Sequence, residues 1–130
     1  MAGKHPRDWY VELAIKKYFY SVDKKNLQAV LDCFNEDAVF TIQSHFTIHE
    51  GRDTGIRRMF ENLFQYKSIL HTAFESIVDV ENESISSRFR VELDPPTGPH
   101  VHLMNVNHWY IKNERFQRVY VWMSGQNVLT

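Results

Sequence analysis

The chain has 130 residues, 43% of them apolar and 24% charged, with a formal charge of −1. A chain of that length buries roughly two-thirds of its unfolded surface, which predicts a single domain, 1–130, stable without staples. The charge leaves no basic footprint for nucleic acid, and no apolar run reaches the ~20 residues of a membrane span.

After the Pro6 break, Asp8 is placed to N-cap a first helix that runs to about Val22. Its apolar stripe is Val11, Ala14, Ile15, Tyr18, Phe19 and Val22. Beyond the polar hinge Asp23-Lys24-Lys25-Asn26, a second helix carries Leu27, Val30, Leu31 and Phe34. Cys33 lies on it as the only cysteine, so no intramolecular disulfide forms. The first residues also lack the apolar core of a signal peptide, and the expected compartment is the cytoplasm. Asn35-Glu36-Asp37 turns the chain into a first strand, Ala38 to Gln43, and a short strand follows around Phe46 to His49. Asp53 or Thr54 then caps a third helix to about Tyr66.

From Ser68 onward the period changes to that of strands. Strand three covers Leu70 to Glu81, and strand four covers Ser84 to Leu93 after the Asn82-Glu83 turn. Strand five runs from His100 to Ile111 beyond a Pro/Gly loop, and strand six from Phe116 to Ser124. Helices ahead of an antiparallel meander predict an α+β fold: a cone-shaped, curved antiparallel sheet wrapped over three helices, in the order α-α-β-β-α-β-β-β-β. Such a cone leaves a hollow, and a hydrophobic small molecule in the cone cavity is the expected partner.

Three stretches carry a likeness to known proteins. They are Lys17-Tyr18-Phe19-Tyr20-Ser21-Val22-Asp23 with Leu27 to Val39, then Gly51-Arg52-Asp53 with Ile56, then His100 to Tyr110. Together they resemble the nuclear transport factor 2-like superfamily, which holds ketosteroid isomerase, scytalone dehydratase, SnoaL-like polyketide cyclases and bile-acid dehydratases. The resemblance implies a lyase or isomerase that needs no cofactor. It equally admits a non-catalytic dimeric ligand-binding module, or an accessory subunit like the small subunit of ring-hydroxylating dioxygenases. One position departs from the isomerase pattern: its carboxylate base is matched by Ile42, whose alkyl side chain cannot move a proton. The isomerase's oxyanion tyrosine matches Tyr18, and its protonated carboxyl falls near Asn107.

The candidate catalytic set is Tyr18, Asp23 and His71. Tyr18 faces the interior, either as a neutral phenol donating to a substrate oxygen or as a core tyrosine bonded to a backbone carbonyl. Asp23 ends the first helix, where the negative end of the dipole disfavours a carboxylate. It either caps the second helix or orients an imidazole. His71 opens strand three, where the resemblance implies a dehydratase histidine; imidazole can take and return a proton near pH 7. A slip of one residue would turn it to the opposite face.

Asn105 and Asn107 share a strand face with Leu103 and Trp109. With Trp109, Val119, Val121 and Met123 they are the candidates for binding substrate. His100 and His102 stand about 7 Å apart on the other face. Neither that pair nor His45 with His49 has a third ligand nearby, so no metal is expected. Arg118, Tyr120 and Trp122 alternate onto the outer sheet face, an exposed aromatic patch that predicts a homodimer packed through the sheet.

Overall fold

The computed structural model describes residues 4–130. Helix α1 (7–23) joins Arg7–Val11, a wider winding over Glu12–Phe19, and Tyr20–Asp23. Helix α2 is Leu27–Leu31, and α3 (51–63) joins Gly51–Ile56 to Arg57–Leu63. The strands are β1 Phe34–Ile42, β2 Thr47–Glu50, β3 Ser68–Asp79, β4 Ser84–Asp94, β5 Val101–Lys112 and β6 Arg115–Trp122. They form one six-stranded sheet in the order β2-β1-β6-β5-β4-β3. The α+β class, the element order and the curved sheet over three helices are as the sequence predicts.

The sheet is mixed, however, rather than wholly antiparallel. β6 returns from β5 in a hairpin and lies parallel to β1, pairing Phe40 with Val119 and Ile42 with Val121. These two strands are far apart in sequence, and no local turn reports their direction.

Helix starts also differ from expectation. Pro6 occupies the N-cap of α1 without a side-chain bond, and Asp8 sits inside the first turn, where a carboxylate suits the positive dipole end. Asp53 does not cap α3 but pairs with Arg52 at 2.9 Å. The Thr54 hydroxyl turns back to donate to Glu50 O at 2.9 Å.

Burial alternates cleanly on the concave face, where Leu103, Asn105, Asn107 and Trp109 of β5 lie over Val119 and Val121 of β6. In β3 the alternation is broken on purpose. Thr72 opposes Arg90 and Glu75 opposes Arg88, so Ala73 and Phe74 share the space of one partner. Ala73 takes the left-handed conformation (φ 58) that such a bulge needs. The bulge keeps Ile69, His71 and Phe74 on the core side while Leu70 points out. Among the described residues no helix is long and apolar enough to cross a membrane.

Candidate functional site

The apolar stripe of α1 builds the helical side of the site, with Tyr18 and Phe19 both buried. The helix is wound wider here, and the Tyr20 N–H reaches back five residues to Ile15 O. Tyr18 is held edge-on by Phe34, Phe60, Trp109 and Phe116 at centroid distances of 5.4–6.1 Å. Burial pushes its phenol pKa well above the ordinary value, with smaller contributions from Cys33 and Asp23, so the hydroxyl keeps its proton.

Asp23 finds the compensation that its helix end demands. One carboxylate oxygen accepts the His71 backbone N–H at 3.0 Å, and the other lies 2.5 Å from His71 Nδ1. Capping of α2 falls instead to Asn26, which accepts the Ala29 N–H at 3.1 Å. Of the two open roles for Asp23, the structure selects contact with an imidazole. A carboxylate offers only acceptors, so Nδ1 carries the hydrogen, and in the neutral tautomer that leaves Nε2 with the lone pair. The ring is clamped by Phe19, stacked at 4.3 Å, and by Phe89 at 5.6 Å.

Tyr18, His71, Asn105, Asn107 and Val121 line one interior cavity of about 30 Å³. That is room for a water or two and not for a ring system. Asp23 stands behind His71 rather than on the cavity wall. Both also line an outer groove of about 420 Å³, with Lys16, Tyr20 and Phe74 around it. His71 therefore forms the partition between interior and solvent. A larger groove of about 850 Å³ farther along α1 mixes Lys17 and Arg115 with Glu12 and Asp32, and no pair in it resembles a proton-transfer unit.

The two asparagines have different duties. Asn105 Oδ1 accepts the Ser124 N–H at 3.3 Å, which fixes the chain as it leaves β6. Asn107 is 3% exposed, and its Oδ1 has no partner. A buried polar atom left unpaired is costly, so this one is available to a water or ligand donor. Trp109, Val119 and Met123 are buried in the core and do not reach the cavity surface. Trp109 instead stacks on Phe116 at 5.6 Å. Sequence reading missed Phe19 and Phe89 as the clamp on His71, and Val128 and Leu129 as a cavity wall. The only signal for that wall is an apolar pair after a Ser-Gly-Gln-Asn turn.

Among the described residues no group of three or more His, Cys, Asp or Glu side chains is placed to hold a metal. His100 is engaged by Asp94 at 2.7 Å and Glu92 at 3.2 Å, and His49 by Leu129 O at 2.8 Å.

The profile of the SnoaL-like domain family matches residues 15–119. The chain belongs to that family. Compared with curated proteins, the sequence finds no match. Among solved structures it is similar to a protein of Shewanella denitrificans OS-217 provisionally described as a SnoaL-like polyketide cyclase. The identity is 13% and the TM-score 0.78, over 91% of this chain and 92% of that one. It is also similar to SalBIII, described as an epoxide hydrolase/cyclase-like enzyme of pyran ring formation, at 16% identity and TM-score 0.78 over 90% and 92%. A protein of Novosphingobium aromaticivorans, provisionally described as an aromatic ring hydroxylase, is 25% identical with TM-score 0.72 over 95% and 94%. These likenesses at low identity speak for the shared fold of the SnoaL-like domain, within the nuclear transport factor 2-like superfamily.

Proposed function

We propose that this SnoaL-like domain is a small-molecule lyase or isomerase that moves a proton beside a carbonyl of a hydrophobic, oxygenated ligand. The observation that carries the reading is the Asp23–His71 pair, in which the carboxylate holds Nδ1 of a ring that lines the cavity; the reading gives the other nitrogen, Nε2, the role of base. His71 Nε2 takes the proton from the carbon next to the carbonyl, and the C–H electrons move into the carbonyl oxygen. Tyr18 donates to that oxygen, with the Asn107 amide beside it. Asp23 holds the imidazolium in place. Return of the proton to another carbon completes an isomerisation. Return to a β-hydroxyl breaks its C–O bond, forms a C=C bond and releases water. The substrate carbonyl is the electron sink, so no cofactor takes part. Ile42 is fully buried and cannot supply an isomerase-type carboxylate, which leaves base duty to His71.

The test is deuterium wash-in from D2O beside the carbonyl of a panel of cyclic and aromatic ketones, followed by NMR. Replacing His71→Gln should slow exchange by about 10²–10⁴-fold. Equal exchange by both proteins would overturn the catalytic reading. The rival is a non-catalytic ligand-binding or accessory module, and the small cavity is the observation in its favour.

The same reading includes a homodimer in the cytoplasm, as a single domain. Tyr110, Trp122 and Met104 are 42–44% exposed on the outer sheet face, and Arg118 lies over the Tyr120 ring at 5.3 Å. A standard interface of about 800 Å² per partner would cover this patch. Sedimentation should give a dimer at micromolar concentration and a monomer for Trp122→Glu; a wild-type monomer rules the dimer out.

A further inference from the structure

The cavity is far smaller than the roughly 300–1,000 Å³ of ordinary ligand sites, and its walls differ in how they are held. α1, α3 and the sheet are fixed by helical and ladder hydrogen bonds. The wall formed by Val128 and Leu129 is not: residues 123–130 belong to no helix or strand. Val128 is 7% exposed and Leu129 partly buried, both packed on the core and lining the same cavity as His71.

Side chains rather than a backbone ladder hold this segment, beginning with Ser44 Oγ, which accepts the Met123 N–H at 3.0 Å. At its root, Ser124 donates its N–H to Asn105 and accepts the Met104 N–H at 2.8 Å through its hydroxyl. A Cβ at Gly125 would meet Leu103 Cδ2 at 2.8 Å, so the chain turns there against the sheet. At its far end, His49 Nε2 holds Leu129 O at 2.8 Å, and the Asn62 amide donates to Thr130 O at 2.8 Å. Between them, Asn127 donates a long 3.4 Å bond to Thr47 Oγ1, and its Oδ1 accepts the Leu129 N–H at 2.9 Å, a bond internal to the segment. The root is firm, and Leu129 and Thr130 are each held through one carbonyl by one side chain.

We infer that residues 125–130 are a movable wall, that Val128 and Leu129 fill the place of the ligand's apolar part, and that His49 and Asn62 are the latch. The inference rests on the proposed function only for the location of the ligand. Opening exchanges the Val128 and Leu129 contacts for those of an apolar ring and exposes the unpaired Asn107 oxygen to a hydroxyl or N–H of the ligand. Sites that must open first bind at a rate capped by the opening step. Val128 and Leu129 then also set the size of ligand accepted.

The test uses 1-anilinonaphthalene-8-sulfonate as an apolar ring probe in stopped-flow fluorescence. Wild-type binding should show a rate that saturates with probe concentration. Asn62→Ala removes one hydrogen bond and should raise the saturating rate by roughly 2- to 13-fold. The Val128→Ala/Leu129→Ala variant should bind the probe more tightly than wild type, and its cooperative melt checks that it is folded. A rate linear in probe concentration and unchanged by Asn62→Ala would overturn the inference, as would a folded double variant that binds no better. Probe binding involves no proton transfer, so a failed wash-in experiment leaves this test standing.

Discussion

Replacing Asp23→Asn isolates what the carboxylate does for His71. The substitution keeps the shape but exchanges one acceptor for an NH2 donor. In the native protein the two oxygens serve two donors, the His71 backbone N–H at 3.0 Å and Nδ1 at 2.5 Å. An amide has a single acceptor oxygen. If that oxygen stays with the backbone N–H, the NH2 group faces Nδ1 and the ring must switch to the Nε2–H tautomer. Nε2, the base in the proposed function, then carries a hydrogen and cannot take a proton. One charge-assisted bond is worth about 1.5–3 kcal/mol. The Asp23 side chain is only 20% exposed, so solvent screens little of this. The expected loss of stability is therefore about 1.5–3 kcal/mol, or on the order of 5–15 °C in melting temperature for a chain of this size. Urea unfolding measures the first quantity, and long-range ¹H–¹⁵N correlation spectra of the histidine rings assign the tautomer. A wild-type His71 with its hydrogen on Nε2 would refute the reasoning, as would a variant whose tautomer and midpoint both stay unchanged.

Ala73→Val should destabilise by about 1–2 kcal/mol, because a β-branched residue tolerates the left-handed bulge poorly; calorimetric melting tests this. Hydrogen bonding to Asp94 raises the His100 pKa above 6.5 in the native state, so the unfolded chain binds fewer protons in the window above that value. The contribution of this pair is complete below about pH 6.5 and fades as pH rises through the raised native value, and His100→Gln should flatten that part of the stability–pH curve. The hydrogen bond from His100, with a second from Ser68, holds Asp94 below the usual carboxylate range, so its share is present at neutral pH and is lost in acid as the pH falls through its lowered value. Burial pushes the Cys33 thiol up to about 11, and an aromatic disulfide reagent should label it only when urea unfolds the chain. Rapid labelling of the native protein would contradict its burial.

The helical side of the site was legible because its determinants are local. Tyr18 sits on an apolar stripe, and that spacing alone turns it inward. Asn105 and Asn107 were legible for the same reason, since alternation along β5 fixes their face once Leu103 and Trp109 are known to be buried. The size of the cavity was not legible. Val128 and Leu129 fill it from a segment without periodicity, and Trp109, Val119 and Met123, on the correct face, are packed beneath other side chains.

By itself the sequence determined the order of helices and strands, the faces of β5 and β6, and the unease of a carboxylate at the end of α1. These follow from periodicity, chirality and the helix dipole, which act over a few residues. Tertiary structure decided that Asp23 meets His71 across 48 residues, that β1 runs parallel to β6, and that a bulge at Ala73 keeps both His71 and Phe74 inward. Each of these is a pairing between distant segments, selected by how the whole core closes and carried by no local pattern in the chain.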